Sequence, residues 1–246
     1  AVASVSLSMI GFLISSETQA STSSVRLVRT RQVVLVSAHS GSKFWGLRGL
    51  LSRNKEQFCH AQGLTCMLDA ALTVEATRHH KQLKYERLLH AFRVHSGAAG
   101  AIWVDGDTWL QPAGGGDLER FMRLTKHHDF VIGRDHQDGE NPAGIWSDLA
   151  FGYPPDESGV CSSGVNSGVF WVRRSAFMIE WMARLVGAMN QSDQCLINYH
   201  WYRNISSFRE HTHMVPYCQS RILQCRYRCW AMLELCCGEA SWLVHW

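Results

Sequence analysis

Two carboxylates separated by one residue are the sharpest chemical feature of the sequence. Asp105 and Asp107 follow the apolar run 101–104 (Ala-Ile-Trp-Val) and precede the apolar pair 109–110. Side chains at positions i and i+2 of an extended chain project to the same side, so both carboxylates can face one ligand just past the carboxyl end of a strand. Oxygen ligands suit a hard cation and leave coordination positions open for diphosphate oxygens and water. The pattern predicts a divalent-metal site for a nucleotide ligand, and a solvated turn is the alternative.

Two later polar segments are candidates for the same cleft. Asn166 and Gly168 precede an apolar run, which would put the amide at a strand mouth while the glycine permits close backbone approach. The alternative is a turn that leads into a core strand. Ser192, Asp193 and Gln194 open a predicted helix. Helix capping explains the presence of the serine and, together with the helix dipole, partly explains the aspartate, but neither effect explains the glutamine.

Alternating strands and helices surround these residues and must position them. Hydrophobic periodicity predicts strands at 32–37, 64–68, 101–104, 129–133 and 168–173, and helices at 43–62, 78–94, 117–125 with an Asp117 cap, 175 to about 189, and from 192–193 onward. This order favours an α/β fold with a mostly parallel central sheet flanked by helices. Ser37 ends the first strand, before a loop of small residues that lets a ligand approach the backbone.

The rest of the chain is less regular. Residues 135–164 are rich in Gly, Pro, Asp and Ser, a composition typical of a long connection that carries function or is disordered. Beyond Tyr217 the pattern is poor.

Bulk composition bounds the class of protein. The chain has 246 residues, is 46% hydrophobic and carries a formal charge of +3, which suits one catalytic domain at residues 31–246. The basic residues form no long run, so no nucleic-acid partner is expected. Residues 1–30 combine an uncharged apolar stretch with a Ser/Thr-rich one. They indicate the remnant of a membrane anchor and a stem, or alternatively a disordered tail.

Cysteines and glycosylation sequons favour the secretory pathway. The chain contains 9 cysteines, and sequons begin at Asn190 and Asn204. Four of the cysteines, at positions 225, 229, 236 and 237, could bind zinc. They lack a paired C-x-x-C spacing, which favours disulfides or buried thiols instead.

The run around Asp105 resembles the D-x-D motif of GT-A glycosyltransferases. Further segments resemble glycosyltransferase family 34, which contains galactosyl-, xylosyl- and mannosyltransferases. Residues 54–63 (Asn-Lys-Glu-Gln-Phe-Cys-His-Ala-Gln-Gly) are similar to the family's N-k-x-x-Y-a-x-x-H-G-Y helix end. Lys84 stands where the family has the lysine of W-x-K, with Gln82 in place of the tryptophan.

The resemblance continues downstream. Residues 165–175 resemble the N-s/t-G-x-f-l-x-R-n segment of GT-A transferases, and Asp193-Gln194 resembles the D-Q that contacts the transferred sugar. Residues 238–246 (Gly-Glu-Ala-Ser-Trp-Leu-Val-His-Trp) resemble the family's G-D-f-x-v-H-f, whose histidine completes the metal and diphosphate site. That histidine is His245 here. Residues 219–237 match the family poorly.

The resemblance implies a GT-A nucleotide-diphospho-sugar transferase fold and a role for each matched residue. Asp105, Asp107 and His245 would hold the metal; Asn166, Gly168, Lys84 and Ser37 would bind the donor and its sugar; Asp193 and Gln194 would be catalytic. An imidazole beside two carboxylates shifts preference from magnesium toward manganese.

The implied reaction moves a hexose or pentose from a nucleotide sugar to a glycan or glycoprotein acceptor. It retains the anomeric configuration, and the leaving diphosphate takes the acceptor's proton. The implied location is the lumen of the Golgi or another secretory compartment, as a type II membrane protein. Two alternatives remain at this point: a metal-dependent phosphohydrolase whose first aspartate attacks phosphorus, and a non-catalytic lumenal binding protein derived from a transferase.

Overall fold

The computed structural model describes residues 33–38, 45–69, 82–111, 115–134, 165–188, 193–215, 225–226 and 243–245. Its strands are β1 (Val33–Ala38), β2 (Thr65–Asp69), β3 (Gly100–Asp105), β4 (Thr108–Leu110), β5 (Phe130–Arg134), β6 (Val165–Arg173), β7 (Thr212–Val215), β8 (Cys225–Arg226) and β9 (Leu243–His245). Its α-helices are α1 (Arg48–Gln62), α2 (Gln82–Val94), α3 (Gly115–Leu124), α4 (Ala176–Ala188), α5 (Asp193–Tyr202) and α6 (Phe208–His211), with 3-10 turns at Trp45–Leu47 and Ile205–Ser207.

Six strands form the central sheet in the order β2-β1-β3-β6-β5-β7. β1 runs parallel to β2 and β3, and β5 runs parallel to β7, whereas β6 is antiparallel to both of its neighbours. The predicted α/β fold with a helix-covered central sheet is confirmed. β6 begins at the edge of the sheet where β5 ends, and it runs in the opposite direction to β5.

Apolar side chains of alternate strand residues fill a separate layer on each face of the sheet. On one face Val36, Trp103 and Phe170 pack with residues of α2, α4 and α5; on the other, Leu35 and Ile102 pack with residues of α1 and α3. Every residue of β1 is buried, as expected of a β-branched strand covered on both sides.

Several element boundaries differ from the sequence prediction. α3 begins at Gly115, so Asp117 lies inside its first turn and is not its cap. β6 begins at Val165, three residues before the predicted strand. The short strands β4, β7, β8 and β9 were not predicted, because segments of two to four residues show no usable periodicity and exist only through their partners. The stop of α1 at Gly63 is confirmed: this glycine has φ 64° and closes the helix in the left-handed conformation.

β4, β9 and β8 form a second, three-stranded sheet. Antiparallel pairing of β4 with β9 sets Thr108 opposite His245. Within the described helices, no segment is both long and apolar enough to cross a bilayer. The predicted anchor and stem at residues 1–30, and the loop at 135–164, lie outside the described residues.

Candidate functional site

Asp105 is the last residue of β3, a central strand of the sheet. Asp107 lies two residues later, in the turn that joins β3 to β4. The Thr108 hydroxyl donates to the Asp105 carbonyl at 2.7 Å and closes this turn. The Trp103 indole N–H donates to Oδ1 of Asp105 at 2.6 Å, so the carboxylate is oriented by its own strand. The Asp105 side chain keeps 33% exposure, which leaves it accessible to a ligand.

Lys84 connects Asp105 to two distant segments of the chain. Its ammonium lies 3.4 Å from Asp105 Oδ1 and 2.9 Å from Asp193 Oδ2. It also donates to the carbonyl oxygen of Ser167 at 2.6 Å. Ser167 lies between Asn166 and Gly168, and Asp193 precedes Gln194. One buried cation therefore brings together the D-x-D turn, the N-S-G strand and the D-Q helix.

Burial and charge act in opposite directions on Lys84. Burial alone would lower the pKa of this ammonium, but the carboxylates of Asp105 and Asp193 outweigh burial, and the net effect raises the pKa. Lys84 therefore stays charged at neutral pH. The neighbouring Tyr85 is fully buried; burial first, and then the charges of Asp193 and Asp105, hold its pKa well above the usual value. Its hydroxyl is therefore neutral beside the site.

Asn166 shapes the mouth of β6. The register between β5 and β6 shifts there: Gly133 faces Asn166, whereas Ile132 faces Phe170. The buried Asn166 side chain accepts the Gly168 N–H through Oδ1 at 2.8 Å. Such an irregularity leaves some backbone groups without a partner in the neighbouring strand. The Ser167 carbonyl oxygen, next to Asn166, accepts a hydrogen bond from Lys84.

A second buried lysine supports the turn from the opposite face of the sheet. Lys55 Nζ, on α1, donates to the carbonyl oxygens of Gly106 and Thr108, both at 2.9 Å. Burial lowers its pKa to about 8, and the carboxylates of Asp107 and Asp105 partly offset that effect. The adjacent Asn54 exchanges two hydrogen bonds with the backbone of Leu110, each 2.8 Å long.

The other predicted residues lie around this centre. Gln194 is half-buried in the first turn of α5. Ser37 is 3% exposed, and its hydroxyl makes no hydrogen bond within the described residues. Strand alternation sets Ser37 on the face of Leu35, away from Lys84. His245 reaches the site through its backbone, opposite Thr108, while its imidazole lies outside the described side chains.

Sequence reasoning missed the contributions of Lys55, Asn54 and Trp103. A signal for Lys55 was present: it lies four residues after Leu51 and three before Phe58, on the buried stripe of α1. A lysine in the middle of an apolar stripe needs polar partners. The Trp103 indole carried no such signal, because a buried strand tryptophan is common.

The donor set at the turn fits a hard divalent cation. Asp105 and Asp107 offer carboxylate oxygens beside an accessible turn, as Mg²⁺ or Mn²⁺ requires. The described side chains contain no cluster of three or more His, Cys, Asp or Glu residues arranged to hold a metal ion. Two protein ligands suit a cation whose remaining positions are taken by diphosphate and water.

Comparisons with known proteins identify the fold. No protein-family model matches the sequence, and no curated protein sequence matches it. Among solved structures, the chain is similar to a glycosyltransferase involved in the glycosylation of the major capsid of PBCV-1, with a TM-score of 0.58, 13% identity, and coverage of 87% of this chain and 91% of that one.

Two further similar structures have TM-scores below 0.5. One is the galactosyltransferase LgtC in complex with donor and acceptor sugar analogues, with a TM-score of 0.44, 11% identity, and coverage of 87% of this chain and 86% of that one. The other is mouse xyloside xylosyltransferase 1 in its apo form, with a TM-score of 0.40, 11% identity, and coverage of 88% of this chain and 97% of that one. The chain has a GT-A-like glycosyltransferase fold.

Proposed function

We propose that this protein is a metal-dependent glycosyltransferase that moves a hexose or pentose from a nucleotide sugar to a glycan or glycoprotein acceptor. The observation that carries the proposal is the contact set of Lys84. Its ammonium joins Asp105, Ser167 and Asp193, which belong to the three segments that resemble GT-A motifs. The fold independently resembles a glycosyltransferase.

The roles follow from the chemistry of each group. Asp105 and Asp107 would hold Mn²⁺, or Mg²⁺, with His245 as a third ligand; the ion would neutralise charge on the leaving diphosphate. Lys84 holds Asp193 and the Ser167 carbonyl beside Asp105, which orients the predicted sugar-binding groups Asn166 and Gln194. Family 34 is the relationship that the motifs favour, and it implies retention of the anomeric configuration.

Partners and location belong to the same proposal. The donor is a nucleotide sugar, and the acceptor is a glycan or a glycoprotein. The Cys59–Cys66 disulfide supports an oxidising compartment such as the secretory lumen, in keeping with a Golgi type II membrane protein.

The experiment is calorimetric titration with uridine, guanosine, adenosine and cytidine diphosphates, with and without manganese. We expect one nucleotide to bind in the presence of manganese and to lose at least tenfold in affinity without it. Asp105→Asn and Asp107→Asn should each abolish this metal dependence. Product anomers identified by NMR then test retention. Affinity that does not change with the metal for all four nucleotides would overturn the proposal.

A further inference from the structure

α1 binds one edge of the D-x-D turn as a neighbouring strand would. In an extended chain the backbone polar groups of alternate residues point to the same edge. Thr108 and Leu110 are alternate residues of β4, and both have backbone groups bonded to side chains of α1. The carbonyl oxygen of Gly106, in the preceding turn, accepts from the same Lys55 ammonium. The intervening Trp109 lies opposite Val244 of β9. The segment is therefore held on both edges, by side chains on one and by a strand on the other.

The two α1 residues that bond to this edge are polar side chains on the buried face of the helix. Asn54 is 5% exposed and Lys55 is 1% exposed, and burial of an amide or an ammonium is unfavourable unless it is hydrogen-bonded. If these two positions served only to fill the core, leucine or methionine would suffice. What the polar pair supplies is four directed hydrogen bonds to residues 106–110, made from a helix that lies outside the turn.

Asp107 lies inside the segment that these bonds hold. Its backbone is fixed on one side by Gly106 and on the other by Thr108, whose carbonyl oxygens share the Lys55 ammonium. Asp105 is fixed separately, by β3 and by the bond from Thr108 Oγ1. Two carboxylates with preset backbones need less ordering when a cation binds them.

We propose that Asn54 and Lys55 are positioning residues that preset the spacing of Asp105 and Asp107 for a divalent cation. This inference rests on the proposed function, because it assumes that the carboxylate pair binds a metal with a nucleoside diphosphate. It assigns a role to the Asn-Lys start of the 54–63 segment. Both act through the backbone of the turn, to which their four hydrogen bonds go.

The test compares Lys55→Met and Asn54→Ala with a matched structural control. Lys55→Met keeps an apolar stem but removes two hydrogen bonds. The control is Thr125→Val, which removes a buried hydroxyl that donates to the Met122 carbonyl at 2.8 Å, away from the site. Each variant is measured for thermal stability, for amide hydrogen exchange at Thr108–Leu110 without metal, and for affinity toward manganese with the nucleoside diphosphate that the parent binds best.

We expect Lys55→Met and Asn54→Ala to speed exchange in this segment and to weaken metal-dependent nucleotide affinity by about tenfold or more, the usual effect of losing a group that orients metal ligands. Thr125→Val should lose stability with neither effect. If the parent binds and both α1 variants exchange faster without loss of affinity, the positioning role is overturned and the proposed function stands. If the parent shows no metal-dependent binding, both are overturned.

Discussion

At the scale of single residues, the site is organised by two lysines that approach the D-x-D turn from opposite faces of the sheet. Lys84 contacts carboxylates, whereas Lys55 contacts backbone carbonyls. Asp105, Asp107 and Asp193 bring three negative charges and the lysines bring two positive ones, so the five groups keep one net negative charge. That balance leaves attraction for a cation while it limits repulsion of a diphosphate.

Replacing Lys84 should destabilise the protein strongly. Lys84→Met leaves the fully buried Asp193 carboxylate without its ammonium, and breaking a buried pair in this way costs about 3–5 kcal/mol. The double variant Lys84→Met with Asp193→Asn removes both charges and should recover part of that loss. Urea denaturation measures all four proteins of the cycle. A double variant no more stable than Lys84→Met would contradict the pairing.

At the scale of elements, antiparallel pairing of β3 with β6 sets Val104 opposite Val169, so the end of β3 that carries Asp105 meets the start of β6 that carries Ser167. Gly100 begins β3 opposite Arg173. A methyl group there would overlap the Trp171 ring and the Val172 carbonyl oxygen. The close approach of the two strands at this end therefore requires glycine.

Gly100→Ala should destabilise the sheet by about 1–3 kcal/mol, since the overlap includes backbone that cannot move aside. Gly97→Ala is the matched control, because a methyl group at that position meets no atom within 4 Å. Chemical denaturation of the two variants gives the comparison. A Gly100→Ala protein as stable as the control would show that β3 and β6 lie farther apart.

The β5–β7 edge carries a pair of stacked histidines. His128 and His213 have ring centroids 4.7 Å apart. Burial, together with His127 and Arg173, lowers the pKa of His128 despite the opposing charge of Asp129. Burial and His128 lower the pKa of His213. Both rings are therefore neutral in the folded protein at neutral pH.

A depressed folded-state pKa means that the unfolded chain takes up the proton first. The pair's contribution to stability should be complete above the unfolded value of about 6.5 and should be lost as pH falls through the lower folded-state pKa values. In the parent, the midpoint of urea denaturation should therefore fall as the pH is lowered from 7.5 to 5, and in His213→Phe this fall should be smaller. His60→Gln, which removes an exposed imidazole of α1, is the matched control. If His213→Phe lost as much stability at low pH as the parent, the histidine pair would be excluded as the cause of that loss.

At the scale of the whole molecule, one sheet joins a parallel half, β2-β1-β3, to the antiparallel strand β6 and its neighbours. The carboxyl end of β3 meets the amino end of β6, so residues from both halves face one another across the site. Two features bear on the proposed compartment: the Cys59–Cys66 disulfide and the exposed sequon at Asn204.

We expect Asn204 to carry an N-glycan when the protein is made in the secretory pathway. Its Oδ1 accepts the Arg209 N–H at 2.9 Å, and glycosylation of Nδ2 would preserve this bond. Peptide N-glycosidase should shift the mass of the parent, and Asn204→Gln should lose one glycan while Asn190→Gln isolates the other sequon. An unmodified Asn204 in secreted protein with an oxidised Cys59–Cys66 pair would contradict the prediction.

The sequence by itself determined the α/β class, most of the large elements and the position of the carboxylate pair at a strand end. These depend on neighbours in the chain: the apolar run before Asp105, the stripe of α1 and the stop at Gly63. Local periodicity and turn chemistry act within a few residues, so they can be read without knowing the fold.

Only the tertiary structure decided what surrounds those carboxylates. Lys84 and Asp193 are separated by 109 positions in the chain, and Lys55 and Gly106 by 51. No pattern in the sequence encodes such a pair, because the partners are chosen by strand order and by the face on which each helix packs. The antiparallel course of β6 and the pairing of β4 with β9 have the same origin: strands this short or this irregular gain their stability from their neighbours, not from their own residues.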